Sequence, residues 1–219
     1  MRTKLIERKE IAEGTTEITL ECPDGFRFKP GQYVQIIIPG LIEGNRREFS
    51  MASSPNEKRY LLFAFRNSES AFKKKMRELP VGSTLEIEGP YGLFTLQQKE
   101  ENITLVAGGI GITPFISMAR SAAEEKLPYA LTLVTINSSK ERVPFKEEIT
   151  RLEKENPKMK VMNYIGKPSA EKFRKDIPKD VGKIYVAGPP GIVSEVKQTL
   201  IEVGVDEEKI LVEDFIGYA

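Results

Sequence analysis

The residues best suited to chemistry in this chain fall in a few short segments. In Arg47-Glu-Phe-Ser-Met-Ala-Ser-Ser-Pro55, preceded by Phe28-Lys-Pro-Gly-Gln-Tyr33, a guanidinium (Arg47), an aromatic ring (Phe49) and a hydroxyl (Ser50) stand close together. In an extended strand Arg47 and Phe49 share one face and Ser50 points to the other. A guanidinium suits phosphate bidentately, an aromatic ring suits a flat conjugated ring, and a hydroxyl can bond a ring nitrogen. Those are the needs of a flavin, although an ordinary strand with one surface Arg and one buried Phe carries the same residues.

A second device is Leu105-Val-Ala-Gly-Gly-Ile-Gly-Ile-Thr-Pro-Phe115, an apolar strand running through Gly108, Gly109 and Gly111 into a helix that opens at Thr113 and Pro114. Glycines let the backbone approach a phosphate, and the first helical N–H groups attract its charge. Pro114 fits the first helical turn, with Thr113 as candidate cap. The spacing differs from the G-x-G-x-x-G of Rossmann dehydrogenases. The device recurs in Tyr185-Val-Ala-Gly-Pro-Pro-Gly191, with Gly188 and Pro189 at the turn, as expected of a cleft across the C-terminal ends of parallel strands. In the loop Asn137–Arg142, Ser138, Lys140 and Arg142 suit a 2′-phosphate and so NADPH over NADH, although solvated loop charges read the same way. Gly89-Pro-Tyr-Gly-Leu-Phe94 reads as a strand-breaking turn.

Composition narrows the reaction classes. Lys and Arg number 33 against 32 Asp and Glu, so no overall field argues for nucleic acid or a membrane surface. The lack of histidine removes Ser-His and Cys-His nucleophilic machinery and His-ligated metal. A single cysteine, Cys22, excludes internal disulfides and a four-thiolate cluster, and reads as a small buried hydrophobe. A bound organic cofactor is then the natural carrier of chemistry. The charged N-terminal decapeptide lacks an apolar targeting core, and no stretch has the roughly 20 apolar residues of a spanning helix, which reads as a cytoplasmic protein.

The elements that must position these residues differ between the two halves. Up to residue 97 short strands are punctuated by turns: Thr16–Glu21, Tyr33–Ile38, Arg59–Phe65 and Thr84–Glu88, with a helix at Ala71–Leu79, as in an antiparallel barrel or sandwich. From residue 102 apolar strands alternate with amphipathic helices, the signature of a parallel sheet. Strands are expected at Ile103–Ala107, Ala130–Ile136, Lys160–Tyr164, Lys183–Ala187 and Ile210–Glu213. Helices are expected at Pro114–Glu124, Pro144–Glu155, Ala170–Lys175 and Ile192–Val203. The polar stretch Gln97–Glu101 separates domains of 1–97 and 98–219.

Taken together, Arg47-x-Phe49-Ser50, Phe28-x-Pro-Gly-Gln-Tyr33, Gly89-Pro-x-Gly-x-Phe94 and Gly108-Gly-x-Gly-x-x-Pro114 resemble the ferredoxin–NAD(P)+ reductase family across essentially the whole chain. The resemblance implies a Greek-key flavin-binding β-barrel followed by an α/β NAD(P)-binding domain with a five-stranded parallel sheet. It implies FAD, or FMN, as cofactor and NADPH or NADH as substrate. Arg47 would meet the flavin phosphates, Phe49 the isoalloxazine and Ser50 the ring nitrogen N5. Phe in place of the commoner Tyr removes a hydroxyl there. Arg66 and Ser70 would extend the flavin site, and Gly109, Gly111 and Thr113 would cradle the dinucleotide pyrophosphate, with Gly188 and Pro189 shaping the nicotinamide pocket. Ala187 stands where the family usually has Cys, so a thiol role lapses. At the C-terminus Glu213 and Phe215 would line the transfer site and Tyr218 would cover the ring, although a frayed edge strand fits the same residues. Ser50 and Glu213 are the catalytic candidates. The implied activity is hydride transfer between nicotinamide and flavin, with electrons passed to ferredoxin, flavodoxin or a small acceptor. The alternatives are an electron-transfer subunit of a larger complex and a module that senses NAD(P)H without turnover.

Overall fold

A computed structural model describes residues 1–96, 102–127, 130–177 and 182–216. The domain boundary expected at 97–101 and the Tyr218 assignment lie outside the described residues. Within them, the N-terminal half forms a six-stranded antiparallel sheet: β1 (Arg2–Ala12), β2 (Thr15–Glu21), β3 (Tyr33–Ile37), β4 (Arg46–Ser50), β5 (Tyr60–Arg66) and β6 (Thr84–Tyr91), in the order β4-β3-β6-β1-β2-β5. Its outer strands β4 and β5 approach one another, curling the sheet into a barrel around Leu5, Ile18, Leu20, Val34, Ile36, Phe49 and Phe63. The helix α1 (Ala71–Glu78) turns Phe72, Lys73 and Met76 inward.

The strand β1 has no counterpart in the sequence reading. Only Thr3 and Leu5 of its first half are buried, and the pairing with β2 shifts register between Leu5 and Glu7, so charged side chains hide the alternation.

The C-terminal half is a five-stranded parallel sheet in the order β11-β10-β7-β8-β9, made of β7 (Asn102–Gly108), β8 (Ala130–Asn137), β9 (Met159–Ile165), β10 (Lys183–Gly188) and β11 (Ile210–Asp214). The strands β7, β8 and β10 are almost wholly buried, as sheets covered on both faces must be. The helices are α2 (Thr113–Glu124), α3 (Lys146–Glu155), α4 (Ala170–Asp176) and α5 (Pro190–Glu202). The expected start of α3 at Pro144 moves to Lys146 because Phe145 adopts a left-handed conformation, φ 57°. From β7 the chain proceeds outward to β8 and β9, then returns to β10 and β11 on the other side, so strand order reverses between β7 and β10. The crevice above such a switch point is where open α/β sheets receive ligands.

The halves share one apolar core. Ala52, Leu62, Ala64 and Phe94 from the barrel side pack in the same cluster as Ile110, Phe115, Met118 and Tyr185 of the parallel sheet and its helices. Polar contacts frame that seam along α2: Ser117 Oγ donates to the Ser53 carbonyl (2.6 Å), Arg120 Nη1 to that of Ala52 (3.0 Å), and Ser54 Oγ to the Glu124 carboxylate.

Candidate functional site: a cationic cleft facing a glycine-lined edge

Residues of β4 form one wall of a cleft of 390 Å³, lined by Gln35, Arg46, Arg47, Glu48, Phe49, Lys73 and Ile216. Arg47 and Phe49 thus meet at one site, but Phe49 contributes little surface. It is 3% exposed, its ring 5.7 Å from Phe72 and 5.9 Å from Phe65, so the aromatic plate expected from the sequence is largely a barrel-core residue. Ser70 caps α1, its hydroxyl accepting from the Lys73 N–H at 3.5 Å. Lys73, absent from the sequence reading, is 2% exposed and faces the cleft. Burial first, then Arg47 and Arg77, lowers its pKa to about 8.

The other end of the same strand reaches the seam between the halves. Ser50, 7% exposed, lies opposite Tyr33 in the β3–β4 register, and Tyr33 packs against Tyr91 with ring centroids 5.9 Å apart. Glu213, at the C-terminal end of β11, arrives here from the parallel sheet. Burial, and then the charge of Glu48, pushes its carboxyl up to about 7, and the Tyr33 phenol is raised by burial and by both carboxylates. Among the described residues Glu213 Oε2 is buried without a hydrogen-bond partner. A carboxyl whose pKa is raised to near neutrality, at the seam of two candidate cofactor sites, is an arrangement that functional sites favour. Phe215, by contrast, is not turned into an opening. It is 8% exposed within the shared core, and its N–H donates to the Gly188 carbonyl at 2.8 Å.

The glycine edge divides by role. A Cβ on Gly111 would lie 2.1 Å from the Ala187 carbonyl oxygen, and one on Gly188 2.8 Å from that of Gly108. One on Gly108 would lie 2.8 Å from Ile192 Cγ2. These three glycines let the ends of β7 and β10 and the start of α5 close on each other. Gly109 is different: its φ is +52°, and the nearest atoms to a Cβ there are those of the Arg66 guanidinium, 3.6 Å away. It opens a short 3-10 turn, Gly109–Ile112, that leads into α2. Thr113 is not the cap expected of it. It is the first residue of α2, 2% exposed, and its hydroxyl donates back to the Ile110 carbonyl at 3.2 Å. Pro189 stands at the cap of α5.

Arg66 also departs from expectation. It is not among the residues lining the Arg47 cleft. Its guanidinium crosses the seam, donating to the Arg142 carbonyl at 2.7 Å, to Asn137 Oδ1 at 3.4 Å and to the Thr15 hydroxyl. Burial, then the charge of Arg142, lowers its pKa to about 10. The trio proposed for a 2′-phosphate is dispersed. Ser138 lines a 240 Å³ pocket with Gly166, Lys167 and Glu195, the last two ion-paired. Lys140 lies along a different cleft beside Lys9 and Glu17, and Arg142 Nε is turned inward. No group of three metal-ligating side chains occurs among the described residues, and none of their helices is long and apolar enough to cross a membrane.

The cations and the α1 cap fit the phosphates of a flavin nucleotide, and the partly exposed Gly109, beside the Arg66 guanidinium and ahead of α2, fits those of a nicotinamide dinucleotide. Comparison with known proteins agrees. Residues 2–108 match the oxidoreductase FAD-binding domain family and residues 105–198 the oxidoreductase NAD-binding domain family. The chain is 31% identical to flavohemoprotein A of Dictyostelium discoideum, over 86% of this chain and 52% of that one. It is 28% identical to the phthalate 4,5-dioxygenase oxygenase reductase subunit of Pseudomonas putida, over 88% and 61%. It spans about half the length of the flavohemoproteins it matches. A ferredoxin NADP+ reductase from Neisseria gonorrhoeae, solved with FAD and NADP, shares the fold with a TM-score of 0.84 at 16% identity, over 99% of this chain and 98% of that one. The chain thus joins an oxidoreductase FAD-binding domain to an oxidoreductase NAD-binding domain, in the fold that this ferredoxin NADP+ reductase also adopts.

Proposed function

We propose that the chain is an NAD(P)H-dependent reductase, with residues 1–97 holding FAD and 98–219 receiving the nicotinamide dinucleotide, and that it passes electrons to an external carrier such as ferredoxin or flavodoxin, or to free flavin. The bound cofactors supply the redox chemistry, a hydride exchanged between two rings, and the protein supplies alignment and charge. Arg47 and the capped end of α1 at Ser70 hold the flavin phosphates, while the edge of Phe49 closes the cleft beneath them. Ser50 presents its hydroxyl to the flavin ring. Gly109, supported by the fold glycines Gly108, Gly111 and Gly188 and by Thr113 and Pro189, admits the dinucleotide phosphates. Arg66 lends its positive charge from across the seam, a role that replaces the flavin contact expected from sequence. Glu213, its pKa raised to about 7, can yield or take a proton as the charge on the neighbouring ring changes.

The observation that carries this reading is that Glu213, from the end of the parallel sheet, lies within electrostatic reach of Glu48 and Tyr33 of the barrel, while the two halves share one apolar core. It brings the two candidate cofactor sites to one seam. Anaerobic titration of the flavin-loaded chain with NADH and with NADPH tests it: either nucleotide is expected to bleach the flavin absorbance stoichiometrically. A flavin that neither nucleotide bleaches points instead to a module that senses NAD(P)H without turnover. A second reading, an electron-transfer subunit of a larger redox complex, is favoured by the partial coverage of the relatives and by the reductase subunit among them. Co-purification with a fixed redox partner distinguishes it. The balanced charge and lone cysteine support a cytoplasmic setting.

A further inference from the structure

We propose that Glu195 selects NADH over NADPH, its carboxylate accepting from the 2′-hydroxyl of the adenosine ribose in the pocket beside the glycine turn and repelling a 2′-phosphate placed there. The assignment rests on the reading that the parallel sheet receives a nicotinamide dinucleotide. The 240 Å³ pocket lies past the C-terminal ends of β8 and β9 and is lined chiefly by apolar residues, among them Pro168, Phe173 of α4 and Ile192 and Val196 of α5, as a flat base requires. It continues the glycine turn. A Cβ on Gly108 would lie 2.8 Å from Ile192, and Asn137, which also lines the pocket, accepts at 3.4 Å from the Arg66 guanidinium that stands beside Gly109. Glu213 stands on β11, at the opposite edge of the sheet from β9. With phosphates at Gly109 and the nicotinamide directed to the Glu213 seam, the end of the dinucleotide that falls into this pocket is the adenosine.

The charged residues lining the pocket are Lys167 and Glu195, partly exposed and paired with each other. A ribose 2′-hydroxyl can donate to the Glu195 carboxylate while that pair stays intact. A 2′-phosphate, with about −1.5 to −2 charge near neutral pH, sets a second anion against Glu195 and must draw Lys167 away from it. An exposed ion pair contributes little by itself, so the discrimination comes from the like charge across the ribose. Other cations of this edge are engaged elsewhere: Lys140 lines the cleft beside Lys9 and Glu17, Arg66 donates to Asn137 and the Arg142 carbonyl, and Lys172 lies over the Tyr164 ring at 4.4 Å. The 2′-phosphate site that Ser138, Lys140 and Arg142 suggest in the sequence gives way to a carboxylate contributed by α5.

Calorimetric binding of 5′-AMP and of adenosine 2′,5′-diphosphate, which differ by the 2′-phosphate alone, to the flavin-loaded full-length chain provides the test, with kcat/KM for NADH and NADPH measured alongside. The wild type is expected to bind 5′-AMP roughly tenfold more tightly than the diphosphate and to favour NADH by a similar factor. Glu195→Gln, which keeps an acceptor for the hydroxyl and frees Lys167, should erase most of that ratio by tightening the diphosphate. Lys167→Ala should widen it. Equal or tighter binding of the diphosphate by the wild type, or a ratio that Glu195→Gln leaves unchanged, overturns the assignment, as does a chain that binds neither nucleotide. Selective binding of 5′-AMP by a chain whose flavin neither dinucleotide bleaches overturns the reductase reading and leaves this assignment standing.

Discussion

The two candidate cofactor sites are built by opposite means. At the barrel cleft the means are side chains: Arg47 and Lys73 line the cleft beside one short helix. At the parallel sheet the means are backbone, with Gly109 partly exposed at a left-handed φ and the 3-10 turn leading from it into α2. A site made of converging cations is stabilised by its occupant and suits a resident cofactor. A site made of backbone N–H groups costs little when empty and suits a nucleotide that must arrive and leave at every turnover. The difference in construction parallels the difference between cofactor and substrate.

The contrast can be broken first at the glycines. Gly111→Ala places a Cβ against the Ala187 carbonyl, and overpacking of backbone by backbone should cost about 3 kcal/mol or more, lowering Tm by roughly 10 °C. A variant that melts like wild type would show that Gly111 serves a ligand and not the fold. Glu213→Gln comes next. Its folded pKa of about 7 lies above the ordinary 4.5, so its contribution to stability is complete below pH 4.5 and is lost as pH rises through about 7. The Gln variant should escape that loss, gaining up to about 3 kcal/mol over wild type near pH 8 and little near pH 4.5, as read by thermal melts across pH.

Gly109→Ala tests the open glycine. The left-handed φ should cost about 1 kcal/mol of stability, while KM for the nicotinamide dinucleotide rises severalfold with little change in kcat. A rise in Kd for FAD instead would reverse the assignment of the two sites. Smallest is Lys74→Ala, beside Lys73 but half exposed and paired with Glu69: within about 0.5 kcal/mol in stability and with unchanged FAD affinity. A severalfold loss of FAD affinity in Lys74→Ala would show that the cleft acts through general positive charge and not through the residues that line it.

What the sequence disclosed follows the same division. A strand that runs through glycines into Thr-Pro and a helix is written in adjacent residues, so the glycine turn and the parallel sheet could be read directly, and Arg47-x-Phe49-Ser50 drew attention to β4. Residues whose meaning depends on distant partners could not be read. Lys73 sits in Phe72-Lys-Lys-Lys-Met76, where only the inward turn of α1 separates one lysine from its two solvated neighbours. Arg66 was assigned to the nearer site because nothing local reveals that Asn137 and the Arg142 carbonyl lie across the seam. Phe49 shows a third limit: alternation gave its face correctly, but how much of the ring stays exposed depends on Phe63, Phe65 and Phe72 arriving from other elements. The charges of β1 masked a strand that only its pairing with β2 and β6 defines.

The apolar cluster that runs unbroken from Leu62 and Phe94 to Phe115 and Met118 bears on how such an enzyme could be taken apart. Gly31 adds to it, since a Cβ there would lie 2.0 Å from the Phe94 carbonyl and 2.6 Å from Met118 Cε. Cutting the chain into separately expressed halves would bare greasy surface on both, and grafting either half onto a relative would require the graft to reproduce this joint side chain by side chain. Exchange of redox modules is therefore better attempted at the outer faces of the molecule than at its waist.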